Sequence, residues 1–115
     1  MNGMRSEVPE ISVTDAARLL KSDQPPRLID VREEDEWAVA RILGAELLPL
    51  SQWPDIALEK LTDKAQPLLI QCHHGGRSAH AAAWLIEQGF ADVTNLAGGI
   101  DAWSAEVDAA VPRYS

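Results

Sequence analysis

The segment LIQCHHGGRSAHAA, residues 69–82, begins as an apolar strand and ends as an alanine-rich helix. Between the two it holds the only cysteine of the chain, two histidines, two adjacent glycines and an arginine. A strand that leads through a short loop directly into a helix is the βα unit from which parallel sheets are built. The segment therefore predicts an α/β fold in which Cys72 lies at the carboxyl end of a strand.

The same alternation of strand and helix runs through the rest of the chain. Short apolar or β-branched runs predict five strands, at residues 10–12, 27–31, 44–50, 67–71 and 92–96. Capping signals and glycine stops place helices at residues 14–21, 34–40 and 78–88, and a last short helix after residue 99. Ser51 is predicted to cap a further helix that runs roughly to Leu61, with Pro54 in its first turn. The pattern predicts a three-layer domain, with a mostly parallel five-stranded sheet flanked by helices on both faces.

Length and charge limit what the protein can be. A chain of 115 residues is long enough for one domain and too short for two, and we expect a flexible leader at residues 1–8 before a single domain at residues 9–113. The net charge of −8 disfavours nucleic acid as a partner, because phosphate backbones are repelled. No apolar run is long enough to cross a membrane, and the first ten residues do not resemble a signal peptide. One cysteine cannot form an internal disulfide, so we predict a cytoplasmic protein.

The loop after residue 71 has the features of a site for a nucleophilic thiol. Ligands of open α/β sheets bind beyond the carboxyl ends of the strands, where Cys72 lies. Gly75 and Gly76 allow a tight turn with inward-facing amides, and the start of the next helix adds a positive dipole end. Such a site stabilises a thiolate, which is the reactive form of cysteine. The simpler interpretation is that Cys72 is only a small buried residue.

The residues of this loop resemble those of a known family. CHHGGRS, residues 72–78, is similar to the C-x-x-G-x-R active-site loop of the rhodanese-like sulfurtransferases. Two further segments agree with that family in the same order. LIDVREEDEWAVARILGAELLPL, residues 28–50, resembles its D-V-R segment, and NLAGGIDAW, residues 95–103, resembles its G-G-x-x-x-W segment. The resemblance extends from about residue 10 to residue 112, nearly the whole chain.

The resemblance implies a rhodanese-like fold and a specific chemistry. Cys72 would take the sulfane sulfur of thiosulfate or a related persulfide donor and hold it as a persulfide. An acceptor, either cyanide or a thiol, would then remove that sulfur. The substrate-binding residues implied by the resemblance are His73, His74, Gly75, Gly76, Arg77 and Ser78, with Arg77 directed to the sulfonate of the donor. The resemblance implies no cofactor, and a sulfur-relay protein is a candidate partner.

Other residues near the predicted site have two interpretations each. Asp30 and Arg32 end a strand at the same sheet edge, so they either form a pocket wall that attracts anions or make an ion pair that fixes the next helix. Gly98 and Gly99 either let a pocket wall approach closely or are ordinary turn glycines. The acidic run at residues 33–36 is interpreted as a solvated helix start.

The histidines do not predict a metal site. Cys72, His73, His74 and His80 include adjacent residues whose side chains point in different directions, and no second cysteine or carboxylate has a metal-binding spacing nearby. His73 and His74 either line the rim of the pocket or are solvated loop residues without a role.

Two other functional classes remain open at this stage. Cysteine-dependent phosphatases and arsenate reductases also hold an oxyanion against a thiolate, but their loops carry one residue more between cysteine and arginine than the four found here. The other class is a binding module that keeps the rhodanese-like fold without catalysis. The presence of both Cys72 and Arg77 favours the enzyme.

Overall fold

The structure is a computed structural model, and it describes residues 8–115. The predicted leader therefore lies outside the described residues, apart from Val8, which packs against the core. Among residues 8–115, no helix is long and apolar enough to cross a membrane. The division into a leader and one domain stays a prediction.

The predicted α/β architecture is confirmed. Within residues 8–115 the five strands are β1 (Glu10–Ile11), β2 (Arg27–Asp30), β3 (Glu46–Leu47), β4 (Leu68–Gln71) and β5 (Val93–Leu96). They form one sheet in the order β1-β5-β4-β2-β3, and every neighbouring pair is parallel. The helices are α1 (Val13–Leu20), α2 (Glu34–Val39), α3 (Asp55–Lys60), α4 (Gly76–Glu87) and α5 (Gly99–Glu106), with a short 3₁₀ helix at Leu50–Gln52.

The central strand β4 divides the core into two clusters. All four of its residues are buried, and they alternate between the two faces of the sheet. Leu68 and Ile70 belong to a cluster that includes residues of α3 and α4, whereas Leu69 belongs to a cluster that includes residues of α1 and α5. Helices therefore cover both faces, which explains why β4 is apolar along its whole length except at Gln71.

The helix predicted from residue 51 to residue 61 was wrong in its first part. Ser51 lies within the 3₁₀ helix, and α3 begins only at Asp55. The reason is Pro54: the residue before a proline is pushed towards extended geometry, and Trp53 has φ −82° and ψ 151°. The hydroxyl of Ser51 donates to a carboxylate oxygen of Glu33 at 2.6 Å and caps no helix.

Helix α4 begins two residues earlier than predicted, at Gly76 in place of Ser78. Gly75 precedes it with φ +108°, a left-handed conformation that glycine adopts readily. This turn brings the chain from the end of β4 into the first turn of the helix within four residues of Cys72. The carboxyl end of β4 and the amino end of α4 therefore face each other.

Candidate active site

The sulfur of Cys72 lies at the base of the loop between β4 and α4. Only 1% of the residue is exposed. The backbone amides of Gly75 and Ser78 donate to its Sγ at 3.1 and 3.4 Å, and the Ser78 hydroxyl oxygen lies 3.3 Å from the same atom. The amide of Ser78 belongs to the first turn of α4, so the positive end of the helix also faces the sulfur. This arrangement can stabilise negative charge on a sulfur atom.

The first turn of helix α5 is hydrogen-bonded to the backbone of the loop between β4 and α4. The amide of Ile100 donates to the carbonyl of Cys72 at 2.9 Å, and the amide of Asp101 donates to that of His73 at 3.0 Å. Gly99 approaches so closely that a Cβ atom there would lie 2.2 Å from the Cys72 carbonyl oxygen. Gly98 has φ +78°, and a Cβ there would lie 2.6 Å from the side chain of Ala102. Gly99 therefore permits the close packing of α5 against the loop backbone, whereas Gly98 forms the left-handed turn that leads into α5.

Arg77 forms a bidentate ion pair with Glu36 of α2. Its Nη1 and Nη2 atoms donate to the two carboxylate oxygens at 2.7 and 2.8 Å. The Arg77 guanidinium is the main reason why the pKa of Glu36 falls to about 2, and the carboxylate in turn raises the pKa of Arg77. Arg77 is 39% exposed, and each Nη atom keeps a second hydrogen that the pair with Glu36 does not use.

Two further contacts hold Glu36 in place. It lies at the third position of α2 and forms a capping box with Glu33, whose amide donates to Glu36 Oε1 at 3.1 Å. The Tyr114 hydroxyl donates to Glu36 Oε2 at 2.8 Å. The acidic run interpreted as a solvated helix start thus contains the carboxylate that orients the loop arginine.

Asp30 and Arg32 form a completely buried ion pair. Both side chains are 0% exposed, and Arg32 Nη2 lies 2.7 Å from Asp30 Oδ2. Although burial opposes its charge, hydrogen bonds to Asp30 and Tyr114 raise the pKa of Arg32. Arg32 also donates to the carbonyls of Glu36 and Ala40, which lie in α2 and at its end. This geometry corresponds to the ion pair that fixes the following helix, and neither side chain is open to solvent.

The two loop histidines lie in different surroundings. His73 is buried and stacks on the Tyr114 ring, with centroids 3.9 Å apart and planes 8° apart. Burial lowers its pKa, so the neutral imidazole predominates at pH 7. His74 is exposed and its ring packs against His73 with the planes tilted by 34°, and its Nδ1 lies 3.9 Å from a carboxylate oxygen of Asp101. Among residues 8–115, no three His, Cys, Asp or Glu side chains group closely enough to hold a metal ion.

Comparison with known proteins identifies the family. Residues 12–106 match the Rhodanese-like domain family. The chain belongs to the rhodanese-like family. The parallel sheet flanked by helices agrees with the fold that the resemblance implied.

Individual relatives agree with this assignment. The rhodanese-like domain is 35% identical over 103 residues to the thiosulfate sulfurtransferase GlpE of Pseudoalteromonas translucida, covering 90% of this chain and 95% of that protein. It is 42% identical over 91 residues to a chloroplastic rhodanese-like/PpiC domain-containing protein of Arabidopsis thaliana, covering 76% of this chain but only 30% of that protein. A crystal structure of a Staphylococcus saprophyticus protein superimposes with a TM-score of 0.76 at 30% identity, covering 92% of this chain and all of that one.

Three residues of this rhodanese-like site were not predicted as site residues. Glu36 had a weak signal, because its spacing from Glu33 is that of a capping box. Asn95 lies within a segment that resembles the family, but nothing in that segment marks its side chain. Tyr114 contacts Glu36 from 78 residues away along the chain, and no local pattern indicates that contact.

Proposed function

We propose that this rhodanese-like domain is a sulfurtransferase that moves sulfane sulfur through a persulfide on Cys72. The donor is thiosulfate or a related persulfide, and the acceptor is cyanide or a thiol. The observation that carries the proposal is the position of Cys72 Sγ, buried at the base of the loop with two backbone amides donating to it. The relationship to a thiosulfate sulfurtransferase of similar length supports the same reaction class.

The proposed reaction has two steps. In the first, the Cys72 thiolate attacks the outer sulfur of thiosulfate, the sulfur–sulfur bond of the donor breaks, and sulfite leaves with the bonding electrons. In the second, cyanide attacks the terminal sulfur of the persulfide, giving thiocyanate and the free thiolate. The amides of Gly75 and Ser78 and the positive end of α4 stabilise the anionic sulfur in both steps.

Arg77 and its neighbours are proposed to receive the donor. Glu36 uses one hydrogen on each Nη atom of Arg77, so the two remaining Nη hydrogens can bond to sulfonate oxygens. His73, His74 and Gly76 complete the proposed substrate-binding loop. We further propose that the protein acts in the cytoplasm on a small anionic donor. A sulfur-relay protein can serve as its partner, and neither nucleic acid nor membrane takes part.

The direct test is detection of the covalent intermediate. After incubation with thiosulfate and no acceptor, intact-mass measurement is expected to show a gain of one sulfur atom. The chain has no second cysteine to convert the persulfide to a disulfide, so the adduct should persist until it is measured. Cyanide should remove it and yield thiocyanate.

The same samples separate the alternatives. A phosphate ester is offered to the protein in parallel, and turnover of the ester without any sulfur adduct would replace the proposal with a phosphatase. If neither thiosulfate nor glutathione persulfide gives a sulfur adduct, and the phosphate ester is not turned over, the protein is a binding module.

A substitution of Arg77 tests its proposed role in donor binding. Arg77→Lys keeps the charge but loses the planar fork that can hold Glu36 and a sulfonate together. We expect the KM for thiosulfate to rise about tenfold, with a smaller change in kcat. Steady-state kinetics with thiosulfate as the varied substrate measure this effect. Unchanged KM and kcat would exclude Arg77 from donor binding.

A further inference from the structure

The side chain of Asn95, on β5, is bonded to the loop at two points. Its Oδ1 lies 2.5 Å from the Ser78 hydroxyl oxygen, and its Nδ2 donates to the carbonyl of Gly75 at 3.1 Å. Both of these residues also donate to Cys72 Sγ through their amides. Asn95 is 0% exposed, so these contacts do not compete with bulk water.

The orientation of the Asn95 amide follows from its partners. Nδ2 also donates to a carboxylate oxygen of Glu10 at 2.9 Å. A carboxylate and a carbonyl are both acceptors, so the NH₂ group must face Glu10 and Gly75, and Oδ1 must face Ser78. Because Oδ1 can only accept, the Ser78 hydroxyl is the donor in that contact.

A hydroxyl has a single hydrogen, and Ser78 has two acceptors for it. The contact with Asn95 Oδ1 is 2.5 Å, whereas that with Cys72 Sγ is 3.3 Å. With its hydrogen on Asn95, the Ser78 oxygen presents a lone pair to the sulfur. In that arrangement the Ser78 oxygen can accept a hydrogen bond from a Cys72 thiol but cannot donate one to a thiolate.

We propose that Asn95 is a positioning residue that restrains the reactivity of Cys72 by holding the hydroxyl hydrogen of Ser78 away from the sulfur. The resting chain of hydrogen bonds runs from the Cys72 thiol to Ser78 and from Ser78 to Asn95. When the sulfur becomes anionic, the hydroxyl leaves Asn95 and donates to the sulfur. The inference rests on the proposed function only in taking Cys72 as the reacting group.

The test measures alkylation of Cys72 by iodoacetamide at pH 7, with no sulfur donor present. In Asn95→Leu, the hydroxyl of Ser78 is free to stabilise the thiolate, and alkylation is expected to be about three- to tenfold faster. In a Ser78→Ala background, the same Asn95→Leu substitution is expected to change the rate by less than about twofold. Faster alkylation that requires Ser78 is the result that supports the proposal.

Other outcomes overturn it. Acceleration of alkylation by the same factor with and without Ser78 would show that Asn95→Leu merely loosens the loop. An unchanged or slower rate in Asn95→Leu would show that Asn95 does not keep the Ser78 hydroxyl hydrogen away from the sulfur. Ser104→Ala is the matched control, since it removes a buried hydroxyl that bonds to the carbonyl of Val111. This control should leave the alkylation rate unchanged.

An infrared measurement covers the case in which Asn95→Leu does not fold. The only cysteine of the chain gives a single S–H stretching band. If the thiol donates to Ser78, the band is shifted to lower frequency and moves up in Ser78→Ala. A band that does not move in Ser78→Ala would overturn the proposal. Neither the alkylation rate nor the S–H band depends on a sulfur donor. These two measurements can therefore contradict the proposal for Asn95 without contradicting the sulfurtransferase proposal, and the reverse also holds.

Discussion

Cys72→Ser is expected to abolish sulfur transfer while the domain stays folded. An alkoxide is too poorly available at neutral pH to attack a sulfane sulfur, whereas a thiolate is readily formed. The serine hydroxyl is nearly isosteric with the thiol and keeps the amides of Gly75 and Ser78 as hydrogen-bond partners. We expect at least a thousandfold loss of thiocyanate formation, on the order of the losses caused by removing an enzyme nucleophile. The variant should also acquire no sulfur adduct in the mass measurement.

Circular dichroism and thermal unfolding of the same variant separate chemistry from packing. Cys72 belongs to the core, and the simpler interpretation of it as a small buried residue predicts loss of the fold as well as of activity. Cys72→Ala serves as the control, because alanine keeps an apolar side chain in the core and removes the proposed nucleophile. Normal turnover by either variant would refute the persulfide mechanism.

The fold was predictable because its signals are local. Each strand lies within a short segment that contains apolar or β-branched residues, and the transition from β4 through Gly75 to α4 lies within ten residues of sequence. The parallel direction of the strands follows from the alternation of strand and helix along the chain. Each helix then connects two parallel strands and covers one face of the sheet. The error at residues 51–61 also has a local cause, because Pro54 favours extended geometry at Trp53.

The support of the site was less predictable because it is built from contacts distant in sequence. Glu36 meets Arg77 across 41 residues, and Tyr114 meets Glu36 across 78. Asn95 meets Ser78 across 17 residues, through a crossover between neighbouring strands. A pattern of residues along the chain predicts the proposed nucleophile and its loop. It does not identify which distant carboxylate, phenol or amide will hold that loop in place.

The close approach of α5 to the loop leads to a second large expected effect, that of Gly99→Ala. The new methyl group would lie 2.2 Å from the carbonyl oxygen of Cys72 and 2.6 Å from that of His73, and both are backbone atoms that cannot rotate away. The φ of +60° at Gly99 adds a further cost for alanine. We expect a loss of about 3 kcal/mol or more in the free energy of unfolding, measured by urea denaturation. The loop must shift to relieve the overlap, so kcat for sulfur transfer should fall as well.

Gly76→Ala is the matched control for this prediction, because it makes the same glycine-to-alanine change where the loop enters α4. Gly76 is the first residue of α4, and a Cβ there would meet nothing within 4 Å. Alanine is favoured over glycine in a helix interior by about 1 kcal/mol, and only part of this gain is expected at the first helical position, so this variant should be as stable as the original protein or slightly more so. The contrast isolates the packing of α5 against the carbonyls of Cys72 and His73 as the cause. Equal stability of the two variants would show that the loop does not depend on that packing.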